Sequence, residues 1–167
     1  MSELTASQKE TLALFTSGAK QLEIAVTGLS EKALDHSRTP GEWTIRQIVH
    51  HVADDGDVWS MIFKKALATP GAPVRFEGFP GNEAWADALA FDQRPIQTSL
   101  ALIKLHRKLI HELAAYFPEA WDQTVRIIDS QGQDIQKVSA EQIIQMISEH
   151  MNEHVSTIEA IKQQYGL

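Results

Sequence analysis

The chain has 167 residues, of which 43% are hydrophobic and 22% charged, enough to bury one core and too few for two, so a single domain over residues 1–167 is expected. A formal charge of -7 argues against nucleic acid or an anionic membrane as partner, and with no apolar run near 18 residues and no basic-then-apolar leader the expectation is a cytoplasmic protein with no membrane span. Cysteine is absent, which excludes disulfides, thiolate metal ligands and a cysteine nucleophile; any thiol chemistry needs a thiol brought in as substrate.

The first predicted helix starts at a Thr5-x-x-Gln8 capping box, carries Leu12, Phe15, Ala19, Leu22 and Val26 at helical spacing, and ends near Gly28. After Thr39-Pro40-Gly41, a Thr44-x-x-Gln47 box opens a second helix with Ile45, Ile48, Val49, Val52, Trp59, Ile62 and Phe63 on one face; it closes before Thr69-Pro70-Gly71. Residues 69–94 hold three prolines, Pro70, Pro73 and Pro80, together with Phe76, Phe79 and Trp85, and Glu83 to Phe91 suits a short helix. Loops of this length tend to be functional or disordered, and the aromatic content favours an ordered crossover that walls a pocket. The third helix runs from about Pro95 to Tyr116 with Ile96, Leu102, Ile103, Leu109, Ile110 and Leu113. Residues 125–138 suit either a small hairpin or an ordered loop, and the fourth helix begins at Ser139-x-x-Gln142. Four long helices without a βαβ pattern predict an all-α fold, a four-helix bundle with a long crossover between the second and third helices.

The last helix places two histidines on its apolar stripe of Ile143, Ile144, Ile147, Met151, Ile158, Ile161 and Tyr165. At roughly 100° per residue, His154 falls within about 30° of the stripe's centre and His150 within about 70°. Side chains at i and i+4 stand one above the other, so both imidazoles can converge on one ion; the alternative is a pair of core histidines, each with its own polar partner. On the second helix His51 sits about 90° from the core direction, with Asp55 one turn on and nearer the core, while His50 points roughly 170° away and is expected to be solvated. Three nitrogen ligands with an open fourth position are the arrangement of a catalytic rather than a structural zinc. His106, on the third helix near Leu102, Leu109 and Leu113, suits a pocket histidine that binds substrate or shuttles a proton as well as it suits a core histidine bonded across the bundle. His111 is expected to face solvent, and His36 carries no signal.

His150-Met151-Asn152-Glu153-His154 also spells the HxxEH signature of inverted zinc peptidases, in which the glutamate is a general base. Those enzymes need a further glutamate ligand far downstream, and 13 residues follow His154, so that class is not expected. Glu153 is a candidate base for another hydrolysis, with a solvated helix glutamate as the plainer reading. The paired Glu-x-x-His repeats of di-iron bundles are absent.

The run Gly41-Glu42-Trp43-Thr44-Ile45-Arg46-Gln47-Ile48-Val49-His50-His51-Val52-Ala53-Asp54, followed by His150-x-x-x-His154, resembles the DinB-like superfamily of metal-binding four-helix proteins. Glu83-Ala84-Trp85 and the Ser99-Leu100…Leu105-His106-Arg107 pattern look most like its YfiT branch, the bacillithiol transferases. The resemblance spans most of residues 40–165 and implies one metal held by the second histidine of the double histidine and by the C-terminal pair, here His51, His150 and His154. YfiT-like sequences often continue Ala-Asp-Ser-His where this chain reads Ala53-Asp54-Asp55-Gly56, which leaves the triad intact and bears on substrate or thiol preference.

The expected function is therefore a metal-dependent thiol S-transferase: a divalent ion on the triad activates a low-molecular-weight thiol toward a small-molecule electrophile under the crossover, with Asp55 orienting His51 or the nucleophile. The alternatives are a metal-dependent hydrolase of an amide or ester, and a metal-binding or interaction module without turnover. Zinc is the expected ion, with nickel or iron the other candidates. Homodimer formation is an expectation from the resemblance, since no leucine stripe demands it.

Overall fold

The computed structural model describes residues 3–167. In chain order the elements are helix α1 (Ala6–Val26), a one-turn helix α2 (Glu31–Leu34), α3 (Ile45–Ala68), strand β1 (Pro73–Val74), α4 (Asn82–Ala88), α5 (Gln97–Tyr116), a 3-10 turn (Pro118–Ala120), β2 (Thr124–Ile128), β3 (Asp134–Ser139) and α6 (Ala140–Tyr165). α1, α3 and α6 begin as the sequence indicates. Thr5, Thr44 and Ser139 each accept the backbone N–H three residues on, and Gln8, Gln47 and Gln142 bond back to the cap's own N–H. Each box satisfies two amides that the first turn leaves without partners.

The four long helices form a square in which α1 and α3 each pack against both α5 and α6, leaving α1 diagonal to α3 and α5 diagonal to α6. Their directions follow from the core. One apolar cluster joins Leu12 and Phe15 near the start of α1, Phe63 near the end of α3, Ile110 near the end of α5 and Ile143 and Ile144 at the start of α6. α1 and α6 thus run one way, α3 and α5 the other. Parallel neighbours cannot be joined by a tight turn: after α3 the chain must travel back the length of a 24-residue helix, about 36 Å at 1.5 Å per residue. That is the physical reason for the long crossover, and α4 is the short helix expected within it.

The undecided segment 125–138 is a hairpin, β2 pairing antiparallel with β3 (Val125 opposite Val138) with an irregularity between Ile127 and Ile128, and β1 adds in parallel to β2. The all-helical expectation thus gains a three-stranded sheet at one bundle end. Val125, Ile127 and Val138 join the core there, beside a buried Trp121 whose Nε1–H donates to Ala114 O at 2.9 Å. A second cluster, including Leu22, Ile48, Val49, Met151, Ile158 and Ile161, fills the other end.

On α5 the buried positions are Ser99, Ile103, Arg107, Ile110 and Ala114, whereas Leu105 and Leu109 are exposed, so the stripe read around Leu102, Leu109 and Leu113 is rotated. The cause is Arg107. An arginine at the centre of the inward face pulls a hydrophobicity-weighted centre away from the true one. Its guanidinium donates to Phe15 O and Ile147 O, both at 2.7 Å, and lies 4.2 Å from the centroid of the Phe15 ring. Tyr165, read as the stripe's last member, is likewise exposed and stacks on His36 at 4.0 Å.

Candidate metal centre

His51 comes from the second turn of α3, and His150 and His154 from successive turns of α6, the neighbour that α3 packs against. The His150 Nε2 lies 2.9 Å from His154 Nε2 and 3.2 Å from His51 Nε2. The three form a group with one nitrogen each, all within 4.8 Å of one another, that could hold a metal ion. Zinc–nitrogen bonds of about 2.0–2.1 Å in tetrahedral geometry set the ligating nitrogens about 3.3 Å apart, close to these separations.

Electrostatics favour the same use. Burial, followed by the nearness of the other two rings, pushes the His51 pKa down to about 3, and burial with His150 nearby pushes His154 down to about 4. Both are neutral at physiological pH and present lone pairs, as metal ligands must. Asp55 Oδ2 lies 3.2 Å from His150 Nδ1 and 3.7 Å from His51 Nε2. A carboxylate accepting the Nδ1–H of a histidine fixes its tautomer and turns the Nε2 lone pair toward the centre. The expectation that Asp55 orients His51 is therefore amended: its short contact is to His150, and burial raises its own pKa. His51 is instead braced by Trp43, whose ring meets it edge-on at 4.5 Å. These groups fit a single divalent ion on imidazole nitrogens.

The depressed pKa values make stability pH-dependent. Below about 6.5 an unfolded chain protonates these histidines while the fold resists it, so the metal-free protein is expected to hold full stability above that pH and to lose it progressively toward pH 3–4. Urea titrations should give a clearly lower midpoint at pH 5 than at pH 7.5; equal midpoints would contradict the assigned burial.

His51 and Asp55 also line a cavity of about 700 Å³ between α3 and the crossover, with Trp59, Phe76, Phe79 and Trp85 among its walls. Trp85 Nε1 donates to Asp54 Oδ2 at 2.8 Å, pinning α4 over the site. The crossover therefore walls a pocket, as its aromatic residues suggest.

The remaining candidates fall in different places. Glu153 is exposed and faces a separate cavity of about 270 Å³ that it shares with Asp55 and His150. His106 faces the neighbouring α3 from α5, its Nε2 2.7 Å from Asp57 Oδ1. His50 corrects the expectation of a solvated residue: it is 1% exposed, with Nδ1 2.8 Å from Ser99 Oγ, Nε2 3.1 Å from Arg94 O, and Phe91 tilted against its ring. A helical wheel assigns to water whatever points away from the other helices, and here α5 and the crossover cover that face. His111, also expected in solvent, is half-buried with Nδ1 3.2 Å from Thr16 Oγ1 on α1. The sequence gives Asp57 no signal and Arg107 only a place in the Ser99-Leu100…Leu105-His106-Arg107 pattern, because no local pattern joins either to its partners.

The sequence profile of the DinB superfamily matches residues 14–158. A Bacillus pumilus protein named "Putative metal-dependent hydrolase" is 32% identical over 123 residues, covering 68% of each chain. A Bacillus cereus protein of the same name is 30% identical over 105 residues, or 62% of this chain and 58% of the relative. Among solved structures, YfiT from Bacillus subtilis, described as a probable metal-dependent hydrolase with an unusual four-helix bundle topology, superposes with a TM-score of 0.84 at 18% identity, over 99% of this chain and 92% of that one. A mycothiol-dependent maleylpyruvate isomerase matches with a TM-score of 0.66 at 18% identity, over 90% of this chain and 60% of that one. At such identity these two likenesses concern the fold.

Proposed function

The chain belongs to the DinB superfamily, and from that premise we propose that it is a metal-dependent thiol S-transferase whose centre is His51, His150 and His154. The observation that carries the reading is a three-nitrogen cluster one member of which, His51, stands in the wall of an aromatic-lined cavity of about 700 Å³. Aromatic walls of that size suit a small electrophile, and Asp54, Asp55, Asp57 and Arg75 supply polar groups in the same lining.

A divalent ion held by the three imidazoles, zinc in this proposal, supplies Lewis acidity that lowers the pKa of a thiol or water beside it. The protein's own part is positional. Asp55 holds His150, Trp43 holds His51, and the Trp85–Asp54 bond keeps the aromatic wall against α3. The rings of Trp59 and Phe76, 6.1 Å apart, and of Phe79 and Trp85, 5.8 Å apart, offer flat apolar faces against which an electrophile can be held. With no cysteine in the chain, the attacking sulfur belongs to a small cosubstrate. The thiol dependence in the description of the structurally similar isomerase supports this reading.

Hydrolysis of an amide or ester at the same centre is the second reading, supported by the names of the Bacillus relatives. The two separate in one experiment. Metal-loaded protein is offered a chloronitroarene and an activated ester, each with and without a panel of small thiols. Thioether formation at least about tenfold above the metal-stripped protein is the expected result. Ester cleavage without thiol consumption would move the assignment to hydrolysis, and neither reaction would leave a metal-binding module.

A further inference from the structure

His106 is the point at which the polar interior is unbalanced. Its Nε2–H donates to Asp57 Oδ1 at 2.7 Å. A solvent-exposed carboxylate presents acceptor oxygens, so this bond places the ring proton on Nε2 and leaves a lone pair on Nδ1. Nδ1 is buried, and among the described residues it is the one buried side-chain nitrogen or oxygen bonded to no protein group. Native interiors seldom leave such an atom unanswered.

Two features of the surroundings say what answers it. A void of about 20 Å³ is lined by His106 together with Gly56, Ser60, Asp55 and His150. That volume admits a single water, and the polar groups around it can bond one. Gly56 is the second feature: a Cβ there would stand 3.1 Å from Nδ1, so the missing side chain is what gives the ring this position and leaves space beside it.

We propose that one water occupies this void and links Nδ1 of His106 to the three-histidine centre, making His106 the base that receives the nucleophile's proton and Asp57 the residue that positions it. The inference rests on the reading of that centre given above. The S–H or O–H proton passes to the water while a proton of that water passes to Nδ1. The freed lone pair of sulfur or oxygen forms the new bond, and the electron pair of the broken bond departs with the leaving group, which takes back the proton from His106. The charged or titratable groups around the ring are Asp55 and Asp57 from α3, Arg107 from α5 and His150 from α6, while α1 contributes Phe15. An imidazolium formed beside Arg107 needs the carboxylate of Asp57 to offset the repulsion, and Asp57, 61% exposed, also gives the ring a route to solvent.

The test is the ring-proton position of His106 in the full-length, zinc-loaded protein, read by long-range nitrogen–proton NMR correlation and assigned by the signal lost in His106→Gln. The Nε2–H tautomer is expected in the parent. Asp57→Asn, whose amide can donate to Nε2, should shift the proton to Nδ1 and lower kcat about 100-fold with KM and zinc content unchanged, the scale of a lost general base. Gly56→Ala, which fills the void without touching a candidate ligand, should lower kcat similarly. An Nδ1–H tautomer in the parent overturns the proposal, as does an Asp57→Asn variant that keeps both tautomer and turnover. If the zinc-loaded parent turns over neither a thiol-acceptor pair nor an ester, the reading of the centre fails, and the tautomer measurements still decide whether the Asp57–His106 pair is set as a base.

Discussion

Replacing His51 or His154 with alanine is expected to remove the bound ion from a chain that still folds. A four-ligand structural zinc is worth about 10–16 kcal/mol, so one imidazole carries roughly 3–4 kcal/mol and its loss lowers affinity by about two to three powers of ten. Elemental analysis of tag-free protein should find about one divalent ion per chain in the parent and next to none in either variant, while the helical circular-dichroism signal persists. The fold is expected to survive because two apolar clusters, each drawing residues from all four long helices, hold the bundle. Asp55→Asn, which removes the carboxylate 3.2 Å from His150 Nδ1 and no nitrogen, is expected to weaken binding about 10–100-fold, the range for a group that only orients a ligand. A parent that takes up no metal after reconstitution would end the metal reading and the function built on it.

The second large effect concerns Arg107, and the nature of the substitution decides its size. Its burial pushes the guanidinium pKa down to about 10, so it stays charged at physiological pH while deprived of water. What offsets that cost is a pair of charge-assisted bonds, to Phe15 O on α1 and Ile147 O on α6. Arg107→Ala removes both bonds and opens a large cavity where three helices meet; about 3–5 kcal/mol of lost stability is expected. Arg107→Met keeps the volume and abolishes the buried charge. Because both carbonyls belong to helical turns that also use them internally, methionine is expected within about 1.5 kcal/mol of the parent. Chemical denaturation of the two variants checks the ordering, and equal losses would show that the bonds, not the packing, dominate.

The bundle was legible because each long helix carries its own start signal or apolar period. Thr5, Thr44 and Ser139 cap locally, through bonds spanning three residues, so no distant contact is needed to read them. The same locality explains the histidines of α6: positions 150 and 154 must share a helix face whatever the rest of the chain does. His51 lies at the edge of its wheel, bordering the interior, and the wheel and the resemblance select the same three histidines. A contact that joins residues far apart in the chain leaves no such local mark. His50 was assigned to solvent because nothing in its own helix announces that Ser99 and Arg94, 49 and 44 residues away, close over it. Arg107 misplaced the inward face of α5 for the same reason, since its acceptors lie 92 and 40 residues away.

By itself the sequence determined four long helices, their caps, an HxxxH pair on one face and the exclusion of cysteine chemistry, all properties carried by local periodicity or by composition. Only the tertiary structure decided that α3 and α5 run parallel, that the crossover must therefore travel the length of the bundle, and that its aromatic residues come to lie against His51 and Asp55. It also decided that Asp57 meets His106 and that Asp55 meets His150. Such pairings depend on which helix faces pack together, a choice made by the total apolar area buried across the whole chain and written in no single segment of it.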